Sequence, residues 1–107
     1  MKRLALKDSG RRGWFIGAFP EAILQTDQCE VCITDELAGP LRPHYHTQCQ
    51  EIMLVIRGSC IIQGEQFNAG DIVMLDPGEV NDTVFLEPSQ ILGVKVPAGG
   101  DDKVYVD

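Results

Sequence analysis

Short runs rich in Val, Ile, Leu and Phe alternate along the chain with turn-forming residues. Breaks fall at Gly10, Gly13, Gly17, Pro20, Gly39-Pro40, Pro43, Gly58, Gly64, Gly70, Pro77-Gly78 and Pro88. Short apolar segments at such spacing predict an all-β sandwich or barrel. Beyond residue 39 no window free of Gly and Pro is both long and periodic enough for a substantial helix. Ile52 to Ile56 is a continuous apolar run, which predicts a strand buried on both faces. Gly64-Glu65 is placed as a two-residue hairpin loop, with Gly in the first central position of a type II′ turn. A strand from Asp71 to Leu75 leads into Asp76-Pro77-Gly78-Glu79. There Pro77 presets φ and Gly78 accepts φ > 0, so a type II turn is expected. A further strand ends at Pro97. Nearer the start, Gly13 to Phe19 reads as a strand, and Glu21 to Gln28 fits either a short helix or an extended connection.

Length and charge narrow the function. A chain of 107 residues predicts one domain, 1–107. Nine basic residues against sixteen acidic give a net charge of -7. Binding to a phosphate backbone needs clustered Lys and Arg, so nucleic acid is not an expected partner. No apolar run approaches the ~20 residues of a membrane span. The basic opening MKRLALKDSG lacks an apolar signal-peptide core, and a cytoplasmic location is expected. Of the four cysteines, Cys29 and Cys32 form a CxxC, but no second such pair or matching His pair accompanies it. It lies in QCEVCITDEL, which reads as a strand, where positions three apart face opposite sides. Cys29, Cys32, Cys49 and Cys60 are therefore taken as reduced thiols packed as small hydrophobes.

The chemistry concentrates in PHYHTQCQEIMLVIRGS, Pro43 to Ser59. It holds the only two histidines, His44 and His46, with Glu51 five residues on. On a strand His44 and His46 share one face. Glu51 opens the next strand and can meet both imidazoles at one point. Two histidines and a carboxylate on one side of a metal, with open positions opposite, are the donor set of non-haem Fe(II) sites and also suit Zn, Mn or Ni. Taken alone the His-x-His pair is a weak signal.

Its glycine frame is more specific. Gly39, His44, His46, Glu51 and Gly58 form G-x4-H-x-H-x4-E-x6-G, and Gly70 to Gly78 form G-x7-G with Pro77 just before the second glycine. This arrangement resembles the cupin superfamily, whose first motif is G-x5-HxH-x3,4-E-x6-G. The chain has one residue fewer before its first histidine. The family's second motif, G-x5-P-x-G-x2-H-x3-N, is matched only in part. Laid on Gly70 it puts Asp76 on the proline, Gly78 on the glycine, Asn81 on the histidine and Phe85 on the final asparagine. The regions concerned are 39–58 and 70–85.

The resemblance implies a double-stranded β-helix, the jelly-roll cupin barrel, with His44, His46 and Glu51 as metal ligands. Asn81 stands where the family has its further histidine. Three arrangements remain open: a divalent transition metal (Fe, Mn, Zn or Ni) held by His44, His46, Glu51 and Asn81; a three-ligand site with water in place of Asn81; and no tightly bound metal. Arg57, Gln63, Met53 and Met74 are candidates for a substrate pocket, and Gln48, Gln50 and Gln63 for orienting the imidazoles. Tyr45 is expected on the outer face. The resemblance also implies a small-molecule ligand and a homodimer, with GWFIG as a plausible edge strand. Function is expected to be that of a dioxygenase, or of an isomerase or lyase of a sugar or hydroxy acid. The alternative is a non-catalytic metabolite binder.

Overall fold

The structure, a computed structural model, describes residues 1–98, 100 and 102–106. Among these residues, a single 3-10 turn at Leu6–Asp8 is followed by twelve strands. They are β1 (Trp14–Gly17), β2 (Leu24–Gln25), β3 (Glu30–Glu36), β4 (Gly39–Pro40), β5 (His44–His46), β6 (Gln50–Arg57), β7 (Ser59–Ile62), β8 (Glu65–Asn68), β9 (Ile72–Leu75), β10 (Val84–Phe85), β11 (Ser89–Val96) and β12 (Lys103–Tyr105). One sheet runs β2-β1-β3-β11-β6-β9 and a second β4-β10-β7-β8, while β12 pairs with β5. This is the double-stranded β-helix expected from the sequence. No helix among the described residues is long and apolar enough to cross a membrane.

The core lies between the two main sheets. Met53, Val55, Cys60, Ile62, Leu75, Phe85 and Ile91 are buried together, with Leu41, Phe67 and Val73 packed against them. Fully burying a side chain such as Ile62 or Phe85 stabilises the fold by about 1.5–3 kcal/mol. Strand alternation divides β6 cleanly. Met53 and Val55 point inward, while Ile52 and Leu54 are only half-buried and Ile56 is exposed. The apolar run is therefore not buried on both faces as expected. Its outward side chains meet those of neighbouring strands instead, in two cross-strand rows: Val31, Val94, Ile52 and Met74; and Ile33, Leu92, Leu54 and Ile72.

Turn chemistry explains the connections. Gly78 has φ +87° and the Glu79 amide donates to the Asp76 carbonyl at 3.0 Å, in agreement with the expected type II turn. The β7–β8 loop departs from expectation. Ile62 pairs with Glu65, so the loop residues are Gln63 and Gly64, both with positive φ. That is a type I′ loop, whose twist matches the flanking strands. Gln63 tolerates the conformation because its amide donates to Asp82 Oδ1 at 2.8 Å. The open segment 21–28 is extended: Leu24 and Gln25 pair parallel with Ile16 and Gly17. β1 thus lies between β2 and β3, and GWFIG is not the free edge that pairing with a second subunit would require.

Gly58 links β6 to β7 with φ +94°, and an added Cβ would lie 2.1 Å from Ser89 Oγ and 2.8 Å from Ser89 Cα. Ser89 is buried, and its hydroxyl accepts from the Ser59 amide. Gly58→Ala therefore meets both backbone strain and a clash with main chain. It is expected to lower stability by at least about 1–3 kcal/mol, read as a fall in urea midpoint. An unchanged midpoint would contradict this packing.

Candidate metal centre

His44 and His46 lie at the two ends of β5, both buried at 6% and 4% exposure. Their rings are perpendicular with centroids 5.4 Å apart. The strand carrying them is held on both sides. His44 and Asn81 exchange backbone hydrogen bonds of 3.2 and 2.7 Å, the Gly78 amide donates to the His46 carbonyl at 2.8 Å, and β12 pairs along the other side. Glu51 enters from β6 on the face shared with Met53 and Val55, so the core forms the floor of the site. One donor atom each from His44, His46 and Glu51 lie within 4.8 Å of one another.

Hydrogen bonds set both imidazole tautomers. His44 Nδ1 lies 3.0 Å from the Arg42 carbonyl, which can only accept. The proton is therefore on Nδ1, and the Nε2 lone pair is free. His46 Nδ1 lies 2.7 Å from Asp102 Oδ1. Burial pushes the Asp102 carboxyl up. The bonds from His46 and from the Cys49 and Gln48 amides outweigh this and hold it at about 2. Asp102 is thus ionised and fixes the proton on His46 Nδ1. A carboxylate behind an imidazole in this way orients the ring and raises its basicity toward a metal.

That leaves His46 Nε2 buried without a hydrogen-bond partner, 3.3 Å from Glu51 Oε2. Two lone pairs at that distance repel. Only a cation between them, a proton or a metal ion, makes the approach favourable. Buried polar atoms otherwise find partners. The carboxylate of Glu51 draws the His46 imidazole up in pKa against burial, helped by Asp102. Burial lowers His44. Burial raises Glu51, but the bonds from His46 and Asn81 prevail and the net shift is downward. Two nitrogen donors and one ionised oxygen, all buried, fit a divalent transition metal.

Asn81 is in the site, but its carboxamide is oriented in a specific way. Its oxygen accepts from the Thr83 amide at 3.1 Å and from the Thr83 hydroxyl. Its nitrogen donates to Glu51 Oε1 at 2.7 Å. A backbone amide can only donate, so the oxygen must face Thr83. The one atom of Asn81 able to bind a metal is therefore engaged by Thr83.

Of the other sequence candidates, Met53 lies in the site, with its sulfur 3.7 Å from Asn81 Nδ2. Three do not. Met74 is on the outer face and half exposed, because it pairs with outward-facing Ile52. Arg57 is exposed at the far end of β6, 3.5 Å from Asp35. Gln63 is used by the β7–β8 turn, donating to Glu79 and Val80. Tyr45 faces away from the histidines, as expected. Gln50 bonds Asp76, and the backbone amide of Gln48 donates to Asp102. Asp102 was not anticipated. It lies 56 residues from His46, and no spacing rule connects them.

In front of the site is a cleft of about 630 Å³ lined by His44, Glu51, Asn81 and Met53 within and by Trp14 and Tyr105 further out. A double-stranded β-helix with two histidines and a glutamate converging at the head of its cleft is the cupin architecture. No family model and no curated protein sequence matches the chain. Solved structures do. An uncharacterised conserved protein with a double-stranded β-helix domain from Klebsiella pneumoniae is 25% identical over 79% of this chain and 80% of its own, with a TM-score of 0.66. A cupin protein from Bacteroides fragilis is 26% identical over 70% of each chain, with a TM-score of 0.56. The DMSP lyase DddQ from Ruegeria pomeroyi shares the fold at 18% identity and a TM-score of 0.70, over 97% of this chain and 59% of that one. The chain has the fold of a small cupin.

Proposed function

We propose that this cupin is a metal-dependent enzyme acting on a small, oxygen-rich metabolite, with His44, His46 and Glu51 as the ligands. The observation that carries the reading is the buried, unpartnered His46 Nε2 facing Glu51, its tautomer fixed by Asp102. Asn81 acts as a positioning residue: its amide holds the Glu51 oxygen not facing His46. A bound divalent ion would supply Lewis-acid polarisation of a substrate oxygen or, with iron, dioxygen chemistry. The chain's own groups bind and orient. Met53 and the core behind it keep water from the inner side, and the cleft admits substrate from the other.

Two reaction classes fit this donor set. The two-histidine, one-carboxylate face favours a dioxygenase, while the shared fold of a lyase supports isomerase or lyase chemistry. Elemental analysis of untagged protein purified without chelator separates them. About one iron per chain with oxygen uptake on a substrate panel supports the dioxygenase. Manganese, zinc or nickel without oxygen uptake supports the isomerase or lyase. Metal without turnover of any panel member supports the non-catalytic binder. A metal-free protein whose melting temperature ignores EDTA overturns the metal reading.

A further inference from the structure

Charge is distributed unevenly on this molecule. The chain carries nine basic and sixteen acidic residues, yet Arg11, Arg12, Arg42, Lys95 and Lys103, five of the nine, line the cleft in front of the metal centre. Among the described residues, the acidic ones in this lining are Glu36 and Glu51. Some of the cations are engaged. Arg11 lies 3.8 Å from Glu21 and over Phe19, and Arg42 stacks on Tyr105 with Cζ 3.8 Å from the ring centroid.

Lys95 and Lys103 differ from these. Lys95 is half-buried on β11, directly opposite Glu51 in the β11–β6 pairing, and so shares its inward face. Its ammonium lies 4.9 Å from the Trp14 ring centroid. Glu30, opposite Lys95 on β3, accepts from the Gly100 amide instead. Lys103 is opposite His46 in the β12–β5 pairing, with its ammonium 5.8 Å from the Tyr105 centroid. Aromatic faces hold both ammonium groups in place by cation–π attraction and leave N–H donors available.

Two ammonium groups beside a cation site weaken that site through like-charge repulsion. With a divalent ion bound, Glu51 and Asp102 offset its charge, and the two lysines then leave the centre doubly positive. A ligand bringing negative charge restores the balance. Resting on the metal-centre reading, we propose that the substrate is a small organic acid, its carboxylate gripped by Lys95 and Lys103 while another oxygen faces the metal. The ordinary alternative is lysines whose stems cover apolar surface with solvated heads. It predicts indifference to anions.

The test is calorimetric titration of acetate, malonate and succinate, with neutral malonamide as control, into protein as purified and after stripping with EDTA and dialysis. At least one acid is expected to bind at 50 mM NaCl, to weaken at 500 mM, and to bind far better than malonamide. Lys95→Met and Lys103→Met keep most of each stem. Each is expected to weaken acid binding at least tenfold with metal content not lowered and melting temperature unchanged, whereas Lys7→Met, outside the cleft, has no effect. The proposal is overturned if no acid binds the wild type, if malonamide binds equally well, or if the lysine variants bind like wild type. Metal content is measured on the same samples, so the two readings fail separately. Lysine-dependent acid binding to a chain that takes up no metal supports anion recognition and removes the metal. Stoichiometric metal without acid binding does the reverse.

Discussion

His46→Ala protein is expected to purify with less than about a tenth of the wild-type metal, because three-donor centres do not survive loss of a donor that is also held from behind. The loss is larger than for any other single side chain here because His46 takes part in two linked interactions. Its Nε2 faces Glu51 and its Nδ1 binds Asp102. Alanine removes one donor and leaves Asp102 buried and ionised without its main partner. Glu51 keeps the Asn81 amide, so the remaining pocket is an acceptor set too sparse for tight binding. Asn81→Ala, by contrast, removes only a hydrogen bond to Glu51 and is expected to keep most of the metal. The check is metal per chain by elemental analysis, with EDTA-induced change in melting temperature as a second readout. Full metal content in His46→Ala would show that the ion is bound elsewhere.

Asp102→Asn is expected to weaken metal binding by about 10- to 100-fold, the usual effect of removing the partner behind a ligating imidazole. The replacement has nearly the same shape but presents one oxygen and one NH2. Asp102 now accepts from His46, Gln48 and Cys49. If the amide oxygen keeps the two backbone donors, its NH2 must donate to His46 Nδ1, which moves the imidazole proton to Nε2 and blocks the metal-binding lone pair. There is also a signature in acid. The folded Asp102 carboxyl titrates at about 2, below its ordinary 3.8. A depressed carboxyl stabilises the fold above its unfolded pKa, and that contribution disappears as pH falls through the folded value. Urea midpoints of metal-stripped protein should therefore fall more steeply for wild type than for Asp102→Asn between about pH 4 and pH 2. Parallel midpoint curves would mean that Asp102 carries no such linkage.

The residues legible in the sequence were those whose positions follow from local rules. Alternation placed His44 and His46 on one face, and a short link brought Glu51 back beside them. The glycine frame marked the turns, and Gly58 and Gly78 do carry positive φ. The failures have equally local causes. Arg57, Gln63 and Met74 lie within or beside the motif regions of the chain, but that nearness does not place their side chains in the cleft. Cross-strand pairing decides otherwise for Met74, and the type I′ loop claims Gln63. Arg57 lies where the β6–β11 pairing shifts, between Gln90 and Ile91. Asp102, Lys95 and Lys103 reach the site through strand pairs far apart in the chain. No pattern within one segment encodes such partners. Asn81 was found by motif alignment, but its orientation depends on Thr83, whose hydroxyl and amide fix which end of the carboxamide faces Glu51.

The two apolar rows on the outer face have a consequence for how the chain finds its fold. In most half-buried strands a slip by one residue exposes the core and is strongly disfavoured. In β6 a slip would exchange Met53 and Val55 for Ile52 and Leu54, so hydrophobic burial alone distinguishes the two alignments poorly. The polar ends make the choice. A slipped β6 would turn Glu51 outward, leave His46 and Asn81 without their partner, and pull Gly58 from its place against Ser89. The same carboxylate that would complete the proposed metal centre also selects the correct alignment of the strand that carries it.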